Sequence, residues 1–255
     1  VLPWVATDRR DSRPETGGSS IYPDSIGEST ADALGTAGSF YALREECLRE
    51  RRLYEDPDFP ADENSLFYKT HRPTEHHKRP IVWKRPGEIA SSPQFMVRGH
   101  SRFDVKQGTL SDCWFLAALA DITAKDELFY RVVPPDQSFA DNYAGIFHFY
   151  FWRYGQWEEV IVDDRLPTVD GKLYYAHSSE STEFWCALVE KAYAKLYGCY
   201  QNLNGGQTTD ALEDLTGGLT EIYDIRKTDK TRLLTVLARG FQLGSLFGCT
   251  IPIVS

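Results

Sequence analysis

The sequence predicts an α+β fold in which helices outweigh strands, and three segments carry that expectation. Cys113 to Ile122 (Cys-Trp-Phe-Leu-Ala-Ala-Leu-Ala-Asp-Ile) is apolar on nearly every side, the mark of a helix buried inside a domain. Residues 145–153 and 157–163 are aromatic and β-branched runs parted by Tyr154-Gly155-Gln156, a hairpin signal. From Glu183 to Leu196, Trp185, Leu188, Val189, Ala192 and Leu196 recur on one helical face.

The remaining elements follow in order. Residues 1–38 are rich in Gly, Ser, Thr, Asp and Pro, with too little apolar surface to offset an ordering entropy of roughly 1–2 kcal/mol per residue, so a flexible tail is expected. Phe40, Leu43, Cys47 and Leu48 then recur at helical spacing behind Ser39, a good N-cap. Asp56-Pro57-Asp58-Phe59-Pro60 stops that helix, because proline cannot donate and disfavours helical geometry in the residue before it. Residues 61–100, punctuated by Pro73, Pro80, Pro86 and Pro93, are predicted to be irregular and to wrap along a core surface. Asp170-Gly171 signals a tight turn, and Gly198 a helix C-cap. A short helix over Thr209–Leu215 closes at Gly217-Gly218, and another over Asp229–Phe241 is expected to lead into a strand.

Composition narrows the function. The chain has 255 residues, enough for one large domain or two modest ones, and a hydrophobic fraction of 42% that excludes wholesale disorder. A net charge of -9 argues against a nucleic-acid partner. No apolar run reaches the roughly 18 residues of a transmembrane segment. Five cysteines do not make a disulfide scaffold, and their odd number suits reduced thiols and a cytoplasmic location. The chain begins at Val1 and stops within the apolar run Cys249–Ser255, so a piece of a longer protein is expected.

Gln107-Gly108-Thr109-Leu110-Ser111-Asp112-Cys113-Trp114 carries the chemistry. A thiol is nucleophilic as thiolate, and a helix N-terminus favours negative charge through its free N–H groups and about half a positive charge of macrodipole. Cys113 occupies that position behind Asp112, which the pattern makes the helix cap. Gln107, six residues upstream, is able to turn its amide toward the same point and, with the Cys113 N–H, form an oxyanion hole. The competing explanation is that a cysteine ahead of an apolar helix is simply buried packing, as is expected of Cys47, Cys186, Cys199 and Cys249.

The segment Gln107-Gly108 with Asp112-Cys113-Trp114-Phe115-Leu116-Ala117-Ala118 resembles the active-site segment of the calpain family, calcium-dependent cysteine proteases related in fold to papain. The resemblance extends to Leu53–Ala61, Val162–Thr168, Glu183-Phe184-Trp185, Leu188–Leu196 and Asp214–Gly218, spanning about 39 to 250. Ser111 departs from the glycine usual in the family. The resemblance implies a papain-like first, mainly helical protease subdomain over 39–217 with Cys113 as nucleophile and Gln107 at the oxyanion. It makes 218–255 the incomplete start of a second subdomain, and it implies protein or peptide substrates. It also implies a calcium site outside any EF-hand, with Val97 and Gly99 as carbonyl ligands and Asp104 and Glu183 as carboxylates. Gly206 matches the family's substrate-binding strip, where a glycine admits a substrate backbone.

A protease of this type needs a histidine base and an orienting Asn or Asp, which in papain-like enzymes follow the Cys by roughly 130–150 residues. No histidine follows His177, so the catalytic His and Asn are expected from the missing second subdomain, leaving this chain inactive alone. His148 belongs to an alternating strand and is expected as a sheet-face residue, and His100 precedes the cysteine in a loop. A rival function is a non-catalytic calcium-binding or interaction module, such as a short isoform. A zinc site at His71, His76 and His77 is a weaker rival, since no cysteines stand at zinc-finger spacing.

Overall fold

The computed structural model describes residues 39–68 and 79–250. The expected tail over 1–38, the histidines 71, 76 and 77, and the last five residues of the expected C-terminal strand lie outside the described residues.

The chain is a mixture of helices and small sheets. Helix α1 (Phe40–Glu50) starts at Ser39, whose hydroxyl accepts the Ala42 N–H, and ends at Arg51 in the left-handed conformation. Within the stretch expected to be irregular, three short elements form: α2 (Glu63–Leu66), β1 (Val82–Lys84) and α3 (Pro86–Ile89). Proline at the first helical position of α3 costs nothing, because its missing N–H has no partner there in any helix. Helices α4 (Cys113–Ile122) and α5 (Asp126–Val132) follow.

Strands β2 (Ile146–Arg153) and β3 (Gln156–Asp163) form the predicted hairpin, in register from Ile146 opposite Asp163 to Arg153 opposite Gln156. Its two turn residues, Tyr154 and Gly155, both have positive φ, which matches the right-handed twist of the strands. A second two-residue turn, Asp170-Gly171, joins β4 (Leu166–Val169) to β5 (Lys172–Leu173), and β1 pairs with β4 to complete a three-stranded sheet. Helix α6 (Trp185–Leu196), a 3₁₀ turn over Tyr200–Leu203, α7 (Thr208–Thr216) and α8 (Lys230–Gln242) complete the order. Gly217 ends α7 at φ 68°, as its position predicted.

Helix α4 runs through the middle of the core. Its Trp114, Phe115, Leu116, Ala118, Leu119 and Ile122 are buried, and Phe115 stacks on Tyr193 of α6 at 4.0 Å between ring centres. Phe147, Phe149, Phe151, Val160 and Val162 supply the apolar face of the hairpin. Each such side chain contributes about 1.5–3 kcal/mol on burial, which is what holds α4 in place.

Helix α6 is not the half-polar helix its sequence suggests, because every residue from Trp185 to Ala194 is buried, Glu190 and Lys191 included. Lys191 Nζ donates to Asp163 Oδ1 at 2.6 Å and to the carbonyls of Asp163 and Arg165 at 2.9 and 2.7 Å. Lys195 holds both oxygens of Asp56, and Arg85 pairs with Asp164. Asp163 and Asp56 thus tie the β3–β4 corner and the Asp56-Pro57 segment to α6, and Asp164 ties that corner to Arg85 ahead of α3.

After Gly217 the packing changes. Helix α8 forms behind the Asp229 cap, but none of its residues is buried, and Leu219, Ile222, Ile225, Leu234 and Phe241 are exposed. Cys249 and Thr250, the described part of the expected terminal strand, are in irregular backbone.

Candidate active site

The first residue of α4 is Cys113, and its side chain is exposed although the next three residues are buried. The Asp112 carbonyl accepts the N–H groups of Phe115 and Leu116 at 2.9 and 3.1 Å. The N–H groups of Cys113 and Trp114 precede those and have no acceptor within the helix, so they face outward beside the thiol. Asp112 stands at the N-cap position but does not cap with its side chain, contrary to expectation. Its backbone (φ -110°, ψ 23°) is not the extended form that folds a carboxyl back over the helix, and the side chain turns inward and is fully buried.

Three sets of bonds fix the loop before Cys113. Lys106 and His177 exchange backbone hydrogen bonds at 2.9 and 3.1 Å, and Thr109 donates to the Tyr174 carbonyl. Gly108 passes so close to Tyr175 that a Cβ there would lie 2.3 Å from the Tyr175 carbonyl oxygen, so only glycine fits. Gln107 Nε2 donates to the Leu110 carbonyl at 2.7 Å, which bridges the loop on itself. That bond uses one of the two Nε2 hydrogens and leaves the second N–H of the amide for another acceptor.

The strip 203–206 is fastened to the same loop. The Ser111 N–H donates to Asn204 Oδ1 at 2.9 Å, and Gly205 N–H donates back to the Ser111 carbonyl at 3.0 Å. Trp114 Nε1 donates to the Leu203 carbonyl at 2.8 Å. The Trp114 ring fills the place of a side chain at Gly206, where a Cβ would lie 2.4 Å from Cε2. Gly206 is exposed on its other side. Gly206 is expected in this strip from the sequence, whereas Asn204 carries no local signal.

Of the residues expected to hold calcium, Glu183 fastens the loop that carries Val97 and Gly99. Val97 N–H donates to Glu183 Oε1 at 2.6 Å, while Ser178 donates to Oε2 at 2.5 Å. Arg98 and Gly99 both have positive φ, which turns the chain back toward the 3₁₀ turn ending at Asp104. Burial raises the Asp104 carboxyl, and burial likewise raises Glu183, with added repulsion from Asp104 and Glu180. Neither carboxylate forms a salt bridge among the described residues. Asp104 and Glu183, carboxylates from two separate segments that repel each other and lack an ion-pair partner among the described residues, supply hard oxygens of the kind a divalent cation takes. No three His, Cys, Asp or Glu side chains converge among the described residues, so backbone carbonyls are needed to complete such a site.

Each described histidine ring has a partner other than Cys113. His148 is 1% exposed, with Nδ1 2.7 Å from Glu159 and Nε2 3.2 Å from Asp136, and its ring stacks on Phe40 of α1. His100 lies against Phe129 with Nε2 3.3 Å from Asp126, and His177 Nδ1 is 3.1 Å from the Tyr175 carbonyl.

An exposed cysteine opening a buried helix, with its loop fixed by glycine and backbone contacts, agrees with what comparison with known proteins finds. Residues 54–255 match the model of the calpain family cysteine protease. The chain belongs to the calpain family. It is 61% identical over 222 residues to calpain clp-4 of Caenorhabditis elegans, covering 87% of this chain and 30% of that protein. It is 54% identical over 216 residues to the calpain-2 catalytic subunit of Mus musculus, covering 85% of this chain and 31% of the relative. With calpain-B of Drosophila melanogaster the identity is 54% over 214 residues, 84% of this chain and 22% of that one. The chain therefore spans less than a third of the length of these calpains. No helix among the described residues is long and apolar enough to cross a membrane.

Proposed function

We propose that this calpain-family chain is the nucleophile-bearing part of a calcium-dependent cysteine endopeptidase of papain-like fold, acting on exposed segments of protein substrates. The observation that carries it is Cys113, exposed at the first turn of a helix whose Trp114, Phe115, Leu116, Ala118, Leu119 and Ile122 are core. Cys113 Sγ attacks the peptide carbonyl carbon, forming the C–S bond as the carbonyl becomes an oxyanion. The Cys113 N–H and the second N–H of the Gln107 amide donate to that oxyanion, each such donor contributing about 2.7–4 kcal/mol. The thiol proton passes to a histidine from the second protease subdomain of the parent protein, and an Asn orients that histidine. Gly206 and its neighbours, tied to Ser111 and Trp114, form the strip along which a substrate backbone lies. On this proposal, residues 39–217 are the first protease subdomain and 218–255 the start of the second, which accounts for the exposed apolar side chains of α8.

Val97, Gly99, Asp104 and Glu183 are the proposed calcium ligands. Bound calcium supplies a fixed positive charge that offsets Asp104 and Glu183. Glu183 already joins Val97 to the start of α6, so its alignment is transmitted to the loop that leads into Gln107.

The test is treatment of the 255-residue chain with a peptidyl electrophile, followed by mass mapping. Cys113 is expected to react ahead of Cys249, the other exposed cysteine among the described residues. Peptide turnover is expected to be absent with or without calcium. Calcium-dependent hydrolysis by this chain, lost in Cys113→Ala, would sink the requirement for a second subdomain. A second reading, a calcium-binding module without catalysis, is favoured by the absence of an ion-pair partner for Asp104 and Glu183 among the described residues. It predicts calcium binding with no preferential labelling of Cys113.

A further inference from the structure

Behind Cys113, two carboxyl groups meet in the protein interior. Asp112 is fully buried, and neither oxygen has an N–H or O–H donor among the described residues. Glu190, in the middle of α6, is 1% exposed, and its two oxygens lie 3.1 and 3.0 Å from the Ala176 N–H. The two carboxyl groups are within hydrogen-bonding reach of each other. Tyr175 faces them from the segment before α6, Cys186 from one turn earlier on α6, and Tyr200 from the 3₁₀ turn. None of these is a cation, and Lys191, next in sequence to Glu190, is turned to Asp163.

Two carboxylates in contact, both withdrawn from water, cannot both stay ionised, because repulsion adds to the cost of burial. A single proton between them relieves both penalties and supplies the donor that Asp112 otherwise lacks. It also creates a charge-assisted O–H···O bond, stronger than a neutral one. The electrostatics agree: burial pushes Asp112 up to about 6, and burial together with the Asp112 charge pushes Glu190 well above the usual carboxylate range.

We propose that Asp112 and Glu190 form a positioning pair for Cys113, sharing one proton in a carboxyl–carboxylate hydrogen bond that pins the residue before the nucleophile to the core of α6. The pair accounts for the failure of Asp112 to cap α4, since the carboxyl is used inside rather than over the helix end. This inference rests on Cys113 being the nucleophile.

Two measurements test it separately. In urea unfolding of the 255-residue chain between pH 5 and 8, the native state holds a proton that the unfolded chain has released. Stability therefore falls as pH rises, by a factor approaching ten in the unfolding constant per pH unit for one proton. Glu190→Gln keeps the hydrogen bond without the extra proton and is expected to lose that part of the slope. Equal slopes in the two proteins would overturn the shared proton. In the second measurement, the rate of Cys113 alkylation is followed against pH. Glu190→Leu, which removes the pin, is expected to slow it by about tenfold or more, the order expected for a small misplacement of a reacting group. Glu190→Gln, which restores a donor to Asp112, is expected to recover most of that loss. Failure of Glu190→Gln to recover the rate, or an unaltered Glu190→Leu, would show that the pair does not position Cys113. Absence of preferential Cys113 labelling in the unaltered chain would instead remove the nucleophile assignment, while the unfolding slope still reports the proton.

Discussion

Replacing Gly206 with alanine tests the packing that joins the strip 203–206 to α4. The new Cβ would meet Cε2, Cζ2 and Cδ2 of Trp114 at 2.4, 2.6 and 2.7 Å. Ordinary contact begins near 3.5 Å, so the ring or the strip must move by about 1 Å. The ring has little freedom, since it is buried and its Nε1 is bonded to the Leu203 carbonyl. The strip is held as well, by the paired bonds between Ser111 and residues 204 and 205. Overpacking of this kind costs about 1–3 kcal/mol. Urea unfolding of Gly206→Ala, monitored by tryptophan fluorescence, is expected to show a loss in that range. Trp114→Phe gives up the indole bond, worth about 0.5–1.5 kcal/mol, but opens the space that a Cβ needs. Combining the two is therefore expected to cost less than the sum of the single changes, with a coupling of about 1 kcal/mol or more. A cost for Gly206→Ala below about 0.5 kcal/mol, within the ordinary range for surface changes, or strict additivity with Trp114→Phe, would refute the clamp.

Three further outcomes are expected. Lys191→Met leaves Asp163 buried with only Arg165 as a charged partner, so a loss of up to about 3–5 kcal/mol is expected at pH 7 by chemical unfolding. Burial opposes ionisation of Asp163, yet Lys191 and Arg165 hold its pKa at about 2, so the pair's contribution is present above the unfolded value of about 3.9 and fades as pH falls through 2. The two proteins should converge in acid. His148 behaves oppositely: burial disfavours its charge, but Asp136 and Glu159 raise its pKa above the ordinary value of about 6.5. Its contribution to docking α1 is full below that value and lost as pH rises through the raised one. Unfolding from pH 6 to 9 should show a decline that His148→Phe, which keeps the stacking on Phe40, lacks. For calcium, calorimetry is expected to show binding to the chain that Asp104→Ala and Glu183→Ala each weaken by at least tenfold, and no heat from the unaltered chain would remove the proposed site.

What the sequence made legible was local. The buried helix at Cys113, the hairpin with its Tyr154-Gly155 turn, and the ends at Ser39, Gly198 and Gly217 all follow from periodicity or from a residue's own backbone preference. What it hid were partnerships between distant segments. Strand β1 is three residues long and exists only because β4, more than eighty residues later, lies beside it. Asp112 looks like a cap because capping is what an acidic residue before a helix does, and only the position of Glu190 gives it another partner. Glu190 and Lys191 look like a polar face because nothing local reveals that α6 is enclosed on all sides. Of the candidate site, Cys113 and Gly206 were legible as residues, whereas Asn204, which binds the two segments together, was not.

That division bears on how the site works. Apart from the local Gln107–Leu110 bond, the contacts that present Cys113 come from segments far away in sequence: Tyr175 against Gly108, Asn204 and Gly205 on Ser111, and Glu190 behind Asp112. Two of those partners, Tyr175 and Glu190, belong to α6 or the segment leading into it, and Glu183, which holds the Val97 loop, stands two residues before that helix. A displacement at the Glu183 end of α6 thus has a rigid route to the thiol, because α6 is buried along most of its length and tightly packed elements shift as units. Coupling through α6 requires that Glu183→Ala alter Cys113 alkylation even though Glu183 does not touch the thiol. It also requires that Asn204→Ala, which loosens the strip without touching α6, leave calcium binding intact while slowing alkylation. Equal effects of both changes on both measurements would mean that the fold is merely loosened, and that α6 carries no specific connection.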